Sequence, residues 1–176
     1  MRQALIDWRA YESLESRASA LPAAPLLSLV LRHYRRSIVA FGLVDSGSDQ
    51  SCLPLRYAHR LGVELEGDIR PVEVLGTVVE VRTAYCELRI PTALGVMEFH
   101  SVEFSVPESE EGSDVVILGQ SPLFREVEIR FQAWANRFGI AKRPPGPAMH
   151  NVGTTVGRRS RTAHGRARRA RPQRSA

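Results

Sequence analysis

Six short segments constrain this chain more than any other feature. They read "LLSLVLRHY", "SIVAFGLVD", "VEVLGTVVEVRTAYCELRI", "GVMEFHSVEFSV", "SDVVILG" and "VEIRFQ", rich in Val, Ile and Phe, often alternating, and bounded by Gly, Pro, Asp or Ser. β-branched and aromatic residues between turn formers are the pattern of strands. One helical piece stands out between them. "PLRYAHRLGV" at 54–63 opens on proline, places Leu55, Ala58 and Leu61 on one side and stops at Gly62. "SPLFRE" at 121–126 is a second short candidate. At the N-terminus Leu5, Trp8, Tyr11 and Leu14 fall close to helical spacing, so a short amphipathic helix is expected, with "LPAAP" at 21–25 as a linker after it. No repeat is visible, and the expected fold is one all-β domain with one or two small helices.

The charge is not spread evenly. From Lys142 to Ala176 there are one lysine, nine arginines and no acid, a charge of +10, so the net +5 of the 176-residue chain leaves residues 1–141 at −5. The segment 143–176 has PPGP, scattered glycines and no aromatic residue. It cannot bury enough apolar surface to fold and is expected to be a disordered Arg-rich tail. Non-specific contact with nucleic acid or another polyanion is its functional reading, and a solvated tail is the plainer one. No apolar run approaches the roughly 20 residues of a membrane-spanning helix, and no continuous apolar leader follows the start, so no membrane contact and a cytoplasmic location are expected. Cys52 and Cys86 are read as two buried or inert thiols.

The chemistry-bearing residue types single out one stretch, "FGLVDSGSDQSCLP" at 41–54, where a hydrophobic run delivers Asp45 into a Ser-Gly turn. Asp-Ser-Gly alone is also an ordinary strand-ending turn, since all three residues favour turns. The other candidates are weaker. His33, His59 and His100 stand singly without metal-ligand spacing, so no metal and no cofactor are expected. "GQSPL" around Ser121 lacks the second glycine of a nucleophile elbow. "PESEEGSD" at 107–114 reads as a solvated acidic loop without calcium-loop spacing.

Strand, Asp-Ser-Gly, apolar segment and small helix together resemble the active-site turn of the retropepsin-like aspartic proteases, of the bacterial or cellular single-domain type. The family pattern "ALVDSGSxxSxLPxxxAxxLG" is close to "AFGLVDSGSDQSCLPLRYAHRLG" here. "VVILG" at 115–119 followed by "SPLF" resembles the strand and short helix that pack beside that turn, and "VEIRFQAWANRFGI" resembles the closing hairpin. The resemblance spans residues 26–142. It implies a single-lobe, closed β-barrel of the acid-protease kind that acts as a homodimer, with residues 1–25 as an N-terminal extension.

The implied activity is peptide-bond hydrolysis by a water activated between two carboxylates that share one proton. Only one Asp-Ser-Gly occurs, so the second Asp45 comes from a second copy. Ser46 would bond across the dimer axis, and Gly47 lets the two loops approach. Leu118, Gly119 and Asp49 support the loop, and a flap hairpin over an extended peptide substrate has its tip near Gly76, with "EGD" at 66–68 as a rival turn. In retroviral members an aspartate at the position of Asp49 pairs with an arginine at the position of Gln120, so here that brace is at best a neutral hydrogen bond unless Arg125 or another basic side chain substitutes. A second function class is a binding or assembly module of the same fold, catalytically weak, tethered by the Arg-rich tail. Oligomeric state separates the two, because a strict monomer cannot assemble a pair of Asp45 carboxylates.

Overall fold

The structure is a computed structural model and describes residues 5–16, 19–74, 76–111, 114–121 and 123–143. The chain divides into units Met1–Pro144 and Pro145–Ala176, and the Arg-rich tail lies outside the described residues. Among the described residues of the first unit there are eleven strands, two short helices and one 3-10 turn. In order they are β1 (Asp7–Ala10), β2 (Glu12–Ser16), β3 (Ser19–Ala24), β4 (Leu26–His33), β5 (Arg36–Val44), α1 (Leu55–Leu61), β6 (Glu66–Val74), β7 (Thr77–Thr92), β8 (Gly95–Pro107), β9 (Val116–Leu118), α2 (Leu123–Glu126), β10 (Val127–Gln132), the turn Ala133–Ala135 and β11 (Arg137–Lys142).

The main sheet runs β6-β7-β4-β5-β9, with β8 also on β7. Its core follows from period-two alternation. On β4, Leu27, Leu29 and Leu31 are fully buried between outward Ser28 and Arg32, and on β5 Ile38, Ala40 and Val44 point in while Val39 and Phe41 point out. On β8 the phase slips by one: Met97 and Phe99 are buried, then Val102, Phe104 and Val106. The slip occurs at Ser101, whose φ of 52° marks a bulge where the β7–β8 register shifts. α1 buries Leu55, Ala58 and Leu61 and is closed by Gly62 in the left-handed conformation, its N–H on the carbonyls of Ala58 and His59. Among the described residues no helix is long and apolar enough to cross a membrane.

Three expectations are corrected. The sheet does not close into a barrel by strand pairing. Between β9 and β8 there is only the segment 51–53, which reaches both through single bridges of Cys52 to Ile117 and to Ser105. That segment turns away into α1 at Pro54 before a ladder can form. The N-terminal helix is also absent, and its residues are strands β1 and β2. Asp7 and Arg9, two apart, share a strand face and pair at 2.8 Å, while Arg9 also reaches the Pro91 carbonyl. β1 lies antiparallel on β11, Asp7 opposite Ile140, and Tyr11 packs on Phe138 with ring centroids 6.1 Å apart. Pairing with a distant strand outweighs the local spacing. The "LPAAP" linker likewise begins inside β3, which pairs with β2 as a separate hairpin and tolerates Pro22 because such a strand has an open edge.

The acidic loop after β8 makes ion pairs with neighbouring elements, Glu108 with Arg82 and Asp114 with Arg56, and the Glu110 carboxylate lies 3.3 Å from the His59 ring. The Arg82 guanidinium holds the Glu108 carboxyl below the usual range.

Both cysteines are free, and burial pushes the Cys52 thiol up to about 11 and the Cys86 thiol up to about 12, with the Glu87 charge adding to the latter. The native protein at pH 8 is therefore expected to alkylate with iodoacetamide roughly 100-fold more slowly than the urea-unfolded chain. Equal rates would show that the thiols are not enclosed. The folded state holds these protons more tightly than the unfolded chain. Their share of stability is thus complete below the ordinary thiol value of 9.0 and lost as pH rises through about 11.

Candidate functional site

β5 runs from the charged Arg36 to the buried Val44 and is followed directly by Asp45, placing a carboxylate where the core gives way to a turn. β9 lies parallel to β5, with Val44 opposite Leu118. The ladder extends one step further, because the Asp45 N–H donates to the Leu118 carbonyl at 3.0 Å. The backbone of Asp45 is thus fixed by a fully buried neighbour. Its side chain is fixed by the turn: the Gly47 N–H donates to Asp45 Oδ1 at 2.9 Å. Asp45 is half-buried and has no ion-pair partner among the described residues. A carboxylate with one oxygen anchored and the other unclaimed is suited to accept a proton.

Residues 48–53 are laced to 117–121 by backbone bonds. Gln120 N–H donates to the Ser48 carbonyl at 2.8 Å, Ser121 N–H to Asp49 at 3.0 Å, and Cys52 and Ile117 exchange bonds of 2.9 and 3.0 Å. Asp49 therefore supports the loop through its carbonyl. Gln120 does not make the expected bond to the Asp49 side chain: its Nε2 donates to the Ser46 carbonyl at 2.9 Å. A neutral amide inside the same chain thus steadies the turn that an ionic brace would otherwise hold.

Gly119 sits in the tightest contact of this assembly. A methyl group there would fall on the Gln50 carbonyl oxygen, 2.5 Å from Gln50 C and 2.8 Å from the Ser48 oxygen. Gly76 lies at the turn between β6 and β7 with φ 79° and open space around it. "EGD" is not a hairpin turn: it lies within β6, where the register shifts between Glu66 and Arg70.

Sequence reasoning assigned no role to Ser51. The residue is 1% exposed, and its hydroxyl accepts from the Gly119 N–H at 3.1 Å and donates to the Ser121 carbonyl at 3.1 Å. The signal was present, since this serine stands in the motif "DSGSDQS", but only the fold shows what it touches. Ser51→Ala leaves the buried Gly119 N–H without its acceptor and is expected to destabilise the protein by about 2 kcal/mol. Urea unfolding checks this, and an unchanged midpoint would contradict the role.

A cleft of about 630 Å³ opens at the other end of β5, lined among others by Arg32, His33, Tyr34, Tyr85 and Glu87. None of its lining belongs to the Asp45 loop.

No family model and no curated protein matches the chain. Among solved structures it is similar to a retropepsin-like aspartic protease from Rickettsia conorii, at 14% identity over 81% of this chain and 97% of that one, with a TM-score of 0.43. It is also similar to the retroviral protease-like domain of Ddi1 from Leishmania major, at 20% identity over 69% of this chain and 96% of that one, with a TM-score of 0.43. Likeness at these values transfers no residue's role.

Proposed function

We propose that the chain is an aspartic endopeptidase whose active site forms when two copies bring their Asp45 carboxylates together. The observation that carries this reading is the setting of Asp45. A half-buried carboxylate, anchored through one oxygen by the Gly47 N–H, stands on a loop bonded residue by residue to Leu118–Ser121. Such rigidity is what a proton-transfer group needs.

In this mechanism two like charges at close quarters cannot both ionise cheaply, so the pair keeps one proton. The ionised Asp45 takes a proton from water as the water oxygen attacks the scissile carbonyl carbon. The protonated Asp45 of the partner subunit donates to the carbonyl oxygen. Collapse of the resulting gem-diol breaks the C–N bond, and the amine leaves with a proton returned by the pair. Ser46 is exposed at the turn, placed to bond to the loop of a second copy. Gly47 keeps that approach free of a side chain, and the β6–β7 hairpin with Gly76 at its tip covers an extended peptide.

The test is cleavage of an unstructured protein between pH ~4 and 7, with the oligomeric state measured by sedimentation on the same sample. Activity from a dimer, falling toward alkaline pH, supports the reading. A rate still rising at alkaline pH contradicts the shared proton, and a folded, silent monomer favours a binding module.

A further inference from the structure

The β6–β7 hairpin is fastened at its base. Arg70 Nη2 donates to Gln50 Oε1 at 3.0 Å and contacts Ser105 Oγ at 2.9 Å, while Ser105 Oγ donates to Gln50 Oε1 at 2.8 Å. These three side chains close a triangle across three elements. Gln50 belongs to the Asp45 loop. Ser105 is buried on β8 and is bonded by its backbone to Ser51 and Leu53, with N–H to the Ser51 carbonyl at 2.9 Å and carbonyl to the Leu53 N–H at 3.0 Å. Two corners are therefore fixed in the framework of the site, and the third rides on the hairpin.

The position of Arg70 along β6 gives the triangle its meaning. Regular pairing with β7 starts there, opposite Val81, directly after the register shift in which Gly67 has φ 76°. The strand bends before Arg70 and is regular after it, which is how a bulge sets the direction of a hairpin arm. Directly opposed residues of an antiparallel pair share a face. Val72 opposite Val79 therefore lies on the face of Arg70, the face turned toward the Asp45 loop, whereas Glu73 and Glu80 lie on the other. Arg70 makes no ion pair among the described residues. Its charge is spent on neutral acceptors that belong to the site.

We propose that Arg70 is a positioning residue, a latch that sets the angle of the β6–β7 hairpin over the Asp45 loop, with Gly67–Ile69 as its hinge. The inference rests on the hydrolytic reading for its consequence in catalysis, but the latch itself has a readout independent of activity. A guanidinium serves both acceptors from a planar, always-charged group, and lysine offers only a mobile point charge. Arg70→Lys should therefore recover part of what Arg70→Ala loses.

The test is hydrogen exchange by mass spectrometry on full-length wild type, Arg70→Ala, Arg70→Lys, Gln50→Ala and Asp45→Asn. Arg70→Ala is expected to speed exchange roughly tenfold in residues 70–81, the scale of one lost charge-assisted hydrogen bond. Exchange in β4 and β5 stays at the wild-type rate. Gln50→Ala gives the same phenotype, Arg70→Lys falls between, and Asp45→Asn matches wild type. With a peptide substrate, Arg70→Ala raises KM roughly tenfold and changes kcat less than about twofold. Unchanged hairpin exchange, or an equal rise in β4 and β5, overturns the latch. Faster hairpin exchange with unmoved kinetics overturns its role in catalysis. If hairpin exchange rises as expected while wild type cuts nothing, the latch stands and the hydrolytic reading fails.

Discussion

Asp45→Asn is expected to lower the rate of hydrolysis of an unstructured protein by on the order of 10⁴-fold, the scale seen when one member of a catalytic unit is removed. Asparagine keeps the shape of aspartate and an oxygen that can accept the Gly47 N–H, the bond that Asp45 Oδ1 accepts at 2.9 Å. The turn therefore survives, and so does the backbone bond from residue 45 to Leu118. What is lost is chemical: a carboxamide cannot take a proton from water, and two of them facing each other hold no acidic proton to transfer to the substrate. Initial rates of variant and wild type prepared side by side check the prediction, with an unfolding midpoint to show that the fold is kept. An equal rate in both would place the hydrolysis elsewhere.

Gly119→Ala is expected to destabilise the protein by about 3 kcal/mol, at the upper end for added volume in a packed interior. The added carbon would meet backbone, namely Gln50 C at 2.5 Å and the Ser48 oxygen at 2.8 Å. Backbone cannot rotate out of the way as a side chain can. The strand carrying Leu118 would have to part from the loop carrying Asp45, weakening the bonds from Gln120 to Ser48 and from Asp45 to Leu118 together. Gly139→Ala differs in kind, since its new methyl would meet side chains, the branch methyl of Ile6 and the ring of Trp8, and no backbone. Gly76→Ala meets nothing within 4 Å and suffers only its φ of 79°, a penalty of about 1 kcal/mol. Chemical denaturation should rank Gly119→Ala well below Gly76→Ala. Equal losses at Gly119 and Gly76 would mean that loop and strand are not in close contact.

Much of the architecture was legible because its causes are local. Leu27, Leu29 and Leu31 alternate with the more exposed Ser28, Val30 and Arg32 along β4, and α1 carries its own start and stop in Pro54 and Gly62. Asp45, Ser46 and Gly47 were legible for the same reason, as a turn at the end of an apolar strand. What the chain concealed depends on partners remote in sequence. The spacing of Leu5, Trp8 and Tyr11 suits a helix, but β1 finds its partner at Arg137–Ile140, which no local window contains. The hairpin tip had two equal candidates, and the pairing of Val74 with Thr77 chose Gly76. The gap between β8 and β9 is spanned by one residue, Cys52, forming bridges on both sides, and alternation does not reveal a strand of that length. Ser51 and Arg70 act through Gly119, Ser121, Gln50 and Ser105, contacts that only the folded chain assembles.

The most direct test of the central claim, that each subunit supplies one carboxylate to a shared site, is a mixing experiment. Wild type and Asp45→Asn are unfolded together in equal amounts and refolded, so that dimers form at random, and hydrolysis is measured per wild-type subunit. If the site needs Asp45 from both copies, only about half of the wild-type subunits find an intact partner, and activity per wild-type subunit falls to about half that of wild type refolded alone. Excess Asp45→Asn drives it further down. Activity per wild-type subunit that stays constant at every ratio would show that one chain hydrolyses peptides by itself, and the account of a shared pair would be wrong.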